Sequence, residues 1–195
     1  MRRLARDIIE TLILALVIYL AVRTLILPYE VEGASMGPAL RSGERLFVNR
    51  GAYSHFNVND LWNVLPWEGR EGERVVYPFD PPQRGDVIVL EPPVLSEKPY
   101  IKRIIGLPGE EIAFQDGYVL VDGRRLGEPY INGALTTCRD GQHCALTVPE
   151  GAVFVLGDNR AHSADSRTFG PVSLDRVIGK AFFSNWPLET FGPIE

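Results

Sequence analysis

Ser35 stands in the run Glu32-Gly33-Ala34-Ser35-Met36-Gly37-Pro38. Gly33 and Gly37 permit unusual backbone angles and Pro38 fixes its own φ, so the run is a forced turn. A turn of this kind can present a hydroxyl and leave neighbouring N–H groups free, as a nucleophile with an oxyanion hole requires. Taken alone the signal is weak, since most runs of this kind are plain loops. A serine hydroxyl also needs a base, and two residues compete for that role. His162 lies in a polar segment with Asp158 and Asp165, so a Ser–His–Asp arrangement is conceivable; the other reading is an exposed loop histidine. Lys102 lies in the apolar run Tyr100-Ile101-Lys102-Arg103-Ile104-Ile105. An ordinary lysine, with a pKa near ~10.4, is no base at neutral pH. In an apolar setting the ammonium is disfavoured and the pKa falls; a drop of about three units corresponds to roughly 4 kcal/mol. The alternative is a lysine that snorkels outward from an edge strand.

The elements that must hold these residues read as strands. Residues 28–34 alternate apolar and polar and lead into the turn, and Arg45 to Val48 follows it. Residues 51–83 lose periodicity and read as a long surface loop. Its Trp62 and Trp67 are satellite packing or, alternatively, bilayer-surface contacts. Val87 to Leu90 and Tyr100 to Ile105 are strongly β-forming. Neighbouring strand residues point to opposite faces, so only one of Lys102 and Arg103 shares a face with Ile104. Ile112 to Phe114, Tyr118 to Val121 and Arg124 to Leu126 read as a meander, with a hairpin signal at Asp122-Gly123. Residues 127–147 read as a looser excursion, part of a lobe at about 123–150. Val153 to Leu156 is a buried-type strand running into the polar segment Gly157 to Arg167. Loops set on rigid strands are where chemistry usually sits. Val177 to Phe183 reads as the last strand. Fifteen prolines and 19 glycines agree with strands joined by turns. The expected class is mostly β, an antiparallel sheet domain over residues 28–195, behind one N-terminal helix.

That helix is expected over Ile8 to Leu27, an apolar run with only Glu10 and Arg23 charged near its ends. About 20 residues match the hydrocarbon thickness of a bilayer. Arg2, Arg3 and Arg6 precede it, so the positive-inside rule puts residues 1–7 in the cytoplasm and the β domain outside, in a single pass through the cell membrane. The reading is a retained anchor; a cleaved signal peptide and a buried core helix are the alternatives. A signal-peptide cut needs small residues one and three places before it, and Glu32 or Val31 falls in the third place here. The net charge of −5 offers no footprint for nucleic acid. Cys138 and Cys144 enclose a short loop and, in an oxidising exterior, form a disulfide. With His143 they are one clear ligand short of a zinc site.

Four blocks occur in one chain, in order, behind the apolar run: Gly33 to Pro38, Arg84-Gly85-Asp86, Lys102 to Gly109, and Gly157-Asp158-Asn159 through Ser163-Ala164-Asp165-Ser166-Arg167. Together they resemble the successive signature blocks of the bacterial type I signal peptidases. The resemblance spans roughly residues 8–182 and is weakest across 50–83 and 123–150. It implies a serine endopeptidase that removes signal peptides from secretory precursors after an Ala-x-Ala-like site. Ser35 would be the nucleophile and Lys102 the general base. Ser163 would hydrogen-bond and orient the amine; Asp165 would pair with Arg167, and Asp158 with Arg103. Met36 would pack beside the nucleophile. Gly33 stands where some members carry a serine that adds to the oxyanion hole. The hole is then left with the Ser35 N–H and a contribution from the Gly33 backbone. Shallow apolar pockets built by Tyr29, Val31 and Ile101 would admit only small side chains, and the substrate would lie as an added strand beside residues 29–33. No metal or nucleotide cofactor is needed. A processing peptidase with few clients and a non-catalytic peptide-binding β module are the competing readings.

Overall fold

The structure, a computed structural model, describes residues 2–54, 56–57, 75–76, 80–96, 98–138 and 143–194. The expectations for Trp62 and Trp67 lie outside the described residues. Helix α1 covers Arg2–Leu25. From Arg6 to Leu25 its mean hydropathy is 2.1, and none of that stretch is buried by the rest of the chain. A helix that is apolar all round is either enclosed by protein or set in lipid. This one is not enclosed, which removes the core-helix alternative. It is long enough to span a membrane.

The helix ends two residues earlier than the apolar run. Ile26 and Leu27 belong to strand β1 (Ile26–Glu30), which pairs antiparallel with β2 (Arg45–Asn49) in the register Ile26↔Asn49 to Glu30↔Arg45. Their side chains are as apolar as those of a membrane helix, so hydropathy could not separate the two elements. Within 51–83, Phe56–Asn57 (β3) and Val75–Val76 (β4) form a short antiparallel pair where a loop is expected.

Strands β5 (Val87–Leu90), β6 (Tyr100–Gly106) and β11 (Ala152–Leu156) form the middle of the main sheet. Strand β13 (Val177–Trp186) runs three residues beyond its expected end. With β12 (Val172–Ser173), the order is β1-β2-β13-β5-β6-β11-β12, and β14 (Gly192–Pro193) adds to β13. The second sheet has the order β10-β7-β8-β9, with β7 Glu111–Gln115, β8 Tyr118–Val121, β9 Arg124–Arg125 and β10 Ala145–Thr147. All ladders are antiparallel. At the hairpin between β8 and β9, Asp122 and Gly123 both have positive φ, 49° and 73°, as a two-residue turn of the I′ kind demands.

The excursion at 127–147 is more ordered than its composition suggests. It holds a 3-10 turn at Pro129–Ile131, and β10 is stitched to β7. A disulfide joins Cys138 to Cys144. Three apolar clusters fill the domain. The first, with Ile88, Leu90, Ile104, Val153 and Val155, and the second, with Val31, Met36, Leu46, Val48 and Val89, draw on the main sheet. The third, with Ile105, Ile112, Val119, Phe154 and Leu156, joins the two sheets. The alternation of β6 sends Ile104 and Ile105 into different clusters, and it is this alternation that directs Lys102 and Arg103 to different tasks.

Candidate active site

The pairing of β1 with β2 continues past the strand ends through Val31 N–H to Glu44 O, 2.8 Å, and Gly43 N–H to Val31 O, 2.8 Å. The chain then enters the Gly33 to Leu40 turn. Gly33 has φ +82°, a conformation that other residues resist. Gly37 N–H donates to Ala34 O and Leu40 N–H to Met36 O. Met36 is 1% exposed and packs with Val31 and Leu40, so the turn is anchored from beneath while Ser35 stays at the surface of the groove.

Lys102 comes to this turn from the centre of β6. Its Nζ lies 2.9 Å from Ser35 Oγ and 2.9 Å from the Ile101 carbonyl oxygen, and 5.0 Å above the Tyr100 ring centroid. The residue is 3% exposed. Burial pushes its pKa down to about 8, against the opposing pull of the Asp165 and Asp158 carboxylates. The snorkelling alternative is therefore corrected: β6 lies between β5 and β11 and is not an edge strand, and the lysine is buried with its amine on Ser35 Oγ.

Arg103 carries its guanidinium the other way. It pairs with Asp158 at 2.8 Å, with side chains 1% and 0% exposed, and lies 4.1 Å over the Tyr130 ring. Burial raises the Asp158 pKa, while Arg103 and Arg160 pull it back. Asp165 pairs with Arg167 at 2.9 Å and also accepts from Gly157 N–H at 3.2 Å. It caps the short helix α2 (Ser166–Phe169) by accepting from Arg167 N–H. Ser166 Oγ accepts from Val155 N–H, which holds the loop onto β11.

Ser163 Oγ is buried and has no hydrogen-bond partner among the described residues, so the bond expected from it to the lysine amine is not made. The amine instead bonds to Ser35 Oγ and Ile101 O. Gly33 N–H donates to Ser42 Oγ at 3.3 Å. Ser35 N–H makes no hydrogen bond among the described residues.

His162 is exposed, and its Nδ1 lies 3.3 Å from Asn159 Oδ1. Both carboxylates that could orient it are occupied by arginines. The structure does not assemble a Ser–His–Asp triad.

Tyr29, Val31 and Ile101 line one groove with Ser35, Met36 and Lys102; its volume is about 460 Å³. Glu32 and Lys98 meet at its rim. Three further residues shape the site without having been singled out in the sequence. Asn159 clamps the nucleophile turn, with its N–H on Ser35 O and its Nδ2 on Ala34 O, both at 3.0 Å. Arg160 is 4% exposed and reaches Glu128, Thr136 and the Gly157 carbonyl. Glu128 also accepts from the Tyr130 hydroxyl, at 3.1 Å. Polar residues in a polar loop carry no mark of burial, and Glu128 lies 32 positions away from Arg160.

A partly buried serine thus lies against a buried lysine on a β scaffold, behind one helix long and apolar enough to span a membrane. The chain belongs to the signal peptidase family, peptidase S26, whose family model matches residues 5–186. It is 34% identical over 173 residues to the signal peptidase I of Bacillus caldolyticus, covering 84% of this chain and 81% of that one. It is 32% identical over 186 residues to the signal peptidase I T of Bacillus subtilis strain 168, covering 91% and 83%. A crystal structure of a signal peptidase I from Enterococcus faecalis V583 matches 52% of this chain and 97% of its own, at 37% identity and a TM-score of 0.45. Family membership makes the chain a peptidase and implies substrates that bear signal peptides.

Proposed function

We propose that this chain is a membrane-anchored serine endopeptidase that cuts secretory precursors after an Ala-x-Ala-like site, with Ser35 as nucleophile and Lys102 as general base. The observation that carries the reading is the 2.9 Å approach of Nζ to Oγ by a lysine that is 3% exposed. A neutral amine there takes the Ser35 proton as Oγ attacks the scissile carbonyl. The Ser35 N–H is free to meet the oxyanion. The same lysine, now protonated, delivers its proton to the leaving amine, then activates water to release the acyl group from Ser35. Tyr29, Val31 and Ile101 are the walls against which only small side chains fit. The precursor lies as an added strand along residues 29–33.

Helix α1 is the anchor, with Arg2, Arg3 and Arg6 on the cytoplasmic side and the β domain outside. The bilayer is thus a partner of the protein as much as the precursor is. The test is incubation of the purified full chain in detergent with a precursor carrying Ala-x-Ala, followed by mass analysis of the products. Ser35→Ala and Lys102→Met should each abolish the cut with the fold kept, and His162→Ala should leave it nearly unchanged. Retained turnover in Lys102→Met would remove the assigned base.

A further inference from the structure

The dyad is surrounded by a set of buried ion pairs. Two of them, Arg103–Asp158 and Arg167–Asp165, join neighbours of the catalytic residues. The third is Arg160–Glu128. The most exposed of the six side chains is Arg167, at 7%. Arg160 donates Nε to Gly157 O at 3.1 Å, and its own carbonyl accepts from the Arg167 guanidinium at 2.7 Å. Gly157 in turn lies against Ser163 Oγ and the Ser35 carbonyl.

We propose that Glu128 and Arg160 are a positioning pair: together they fix the Gly157–Ser163 turn against the dyad and complete, among the described residues, a matched set of buried ion pairs in which Lys102 is the one amine without a carboxylate bonded to it. The inference rests on the Ser35–Lys102 reading above.

Breaking a buried pair leaves an uncompensated charge in a medium that screens poorly. With three guanidiniums matched to three carboxylates among the described residues, the pull of Asp158 and Asp165 on an ammonium at position 102 is offset by their own arginines. Loss of Glu128 leaves one positive charge in excess and disfavours the ammonium further. Loss of Arg160 leaves one negative charge in excess and favours it. The route between the pairs is Asp158, whose carboxyl responds to Arg160 in one sense and to Glu128 in the other.

The other charged or titratable groups near Lys102 do not disturb this count. Tyr100 lies beneath the amine on the same strand. On the neighbouring strand, Ile88 faces Lys102, and Asp86 at that strand's entry is held by Lys180 at 2.6 Å. At the groove rim Glu32 and Lys98 pair with each other in solvent.

The experiment is the pH dependence of kcat/KM for the full chain in detergent, with a peptide spanning an Ala-x-Ala site. Arg160→Gln should move the acid limb up by about half a pH unit or more, and Glu128→Gln should move it down by a similar amount. Limbs that stay in place, or that move in the same direction in both variants, overturn the proposal. A role in folding alone would lower activity in both without opposed shifts. Arg160→Lys keeps the charge and loses the forked contact, so its limb should stay while kcat falls about tenfold with KM little changed. If the two neutral variants do not fold, Arg160→Lys decides, and full kcat in it overturns the proposal. An active Lys102→Met would defeat the dyad itself. An inactive Lys102→Met with unmoved limbs would defeat only the pairing.

Discussion

Gly157 and Ser163 are packed without room for one more carbon: a Cβ at position 157 would stand 2.2 Å from Ser163 Oγ and 2.5 Å from the Ser35 carbonyl oxygen. The Ser35 carbonyl is not free to withdraw, and Gly157 itself is pinned. Asn159 N–H holds the Ser35 carbonyl, and Asp165 holds Gly157 N–H. Gly157→Ala should therefore displace the nucleophile turn and lower kcat about 100-fold with little change in KM. Steady-state kinetics at saturating peptide would check this; a variant with the parental kcat would show that the turn can yield.

On the Ser35–Lys102 reading, the lysine ties activity to pH. Its pKa is held at about 8 by burial, so the active, neutral form dominates above that value. Below it, the rate should fall tenfold per pH unit, which a pH–rate profile would display.

The same burial costs stability. The unfolded chain keeps the proton up to pH 10.5, and the folded chain only up to about 8. Below pH 8 the cost is complete, about 3 kcal/mol, and it disappears as the pH rises to 10.5. Lys102→Met, which has no amine to desolvate, should thus be the more stable protein at pH 7 and lose that advantage near pH 10.5. Urea unfolding of the two proteins in micelles at both pH values would test the sign.

On the proposed reading, the groove wall sets what fits. Ile101 lines it beside Tyr29 and Val31. Ile101→Ala removes methyl groups from that wall and should admit side chains larger than alanine before the cut. The discrimination lost should be about 10- to 200-fold, the range for one methylene or so of fit. A panel of peptides varied one and three places before the scissile bond would read it out by product mass.

The disulfide bears on the site through Arg167. Arg167 donates to Thr137 O at 2.9 Å, just before Cys138, and its carbonyl accepts from His143 N–H at 2.8 Å, just before Cys144. The bridge closes a short loop, a separation of six residues. Replacing both cysteines by serine should cost about 2 kcal/mol through freed chain entropy. It should also lower kcat modestly, because the arginine that neutralises Asp165 loses part of its support. Thermal unfolding and turnover measured on the double variant would separate the two effects.

How far the fold could be read in advance depended on whether a feature was local. Short apolar runs such as Val87 to Leu90 and Tyr118 to Val121 name themselves, because they are rich in strand-forming side chains and bounded by turn residues. The Asp122-Gly123 hairpin needs two positive φ angles, which few residue pairs allow. The end of α1 was not readable, because Ile26 and Leu27 serve a strand with the same apolar side chains. The site divides in the same way. Ser35, Lys102, Asp158, Asp165 and Arg167 stand in compact blocks, and the contact between Ser35 and Lys102 was open to inference from chemistry. Glu128, Thr136 and Arg160 meet only through folding of a segment that looks like loop, and nothing in their spacing signals it. That Gly33 N–H would turn to Ser42 Oγ, and that Ser163 Oγ would be left without a partner among the described residues, was likewise decided by neighbours that sequence does not reveal.

Strand β1 begins at the residue after α1 ends, with no linker between them. On the anchored reading, the wall of the groove is then an extension of the membrane span, and the serine is held at a set height above the lipid surface. Such an enzyme is a ruler. A precursor is cut only where its own bond reaches that height, so depth in the bilayer selects the cleavage site alongside the side chains that surround it.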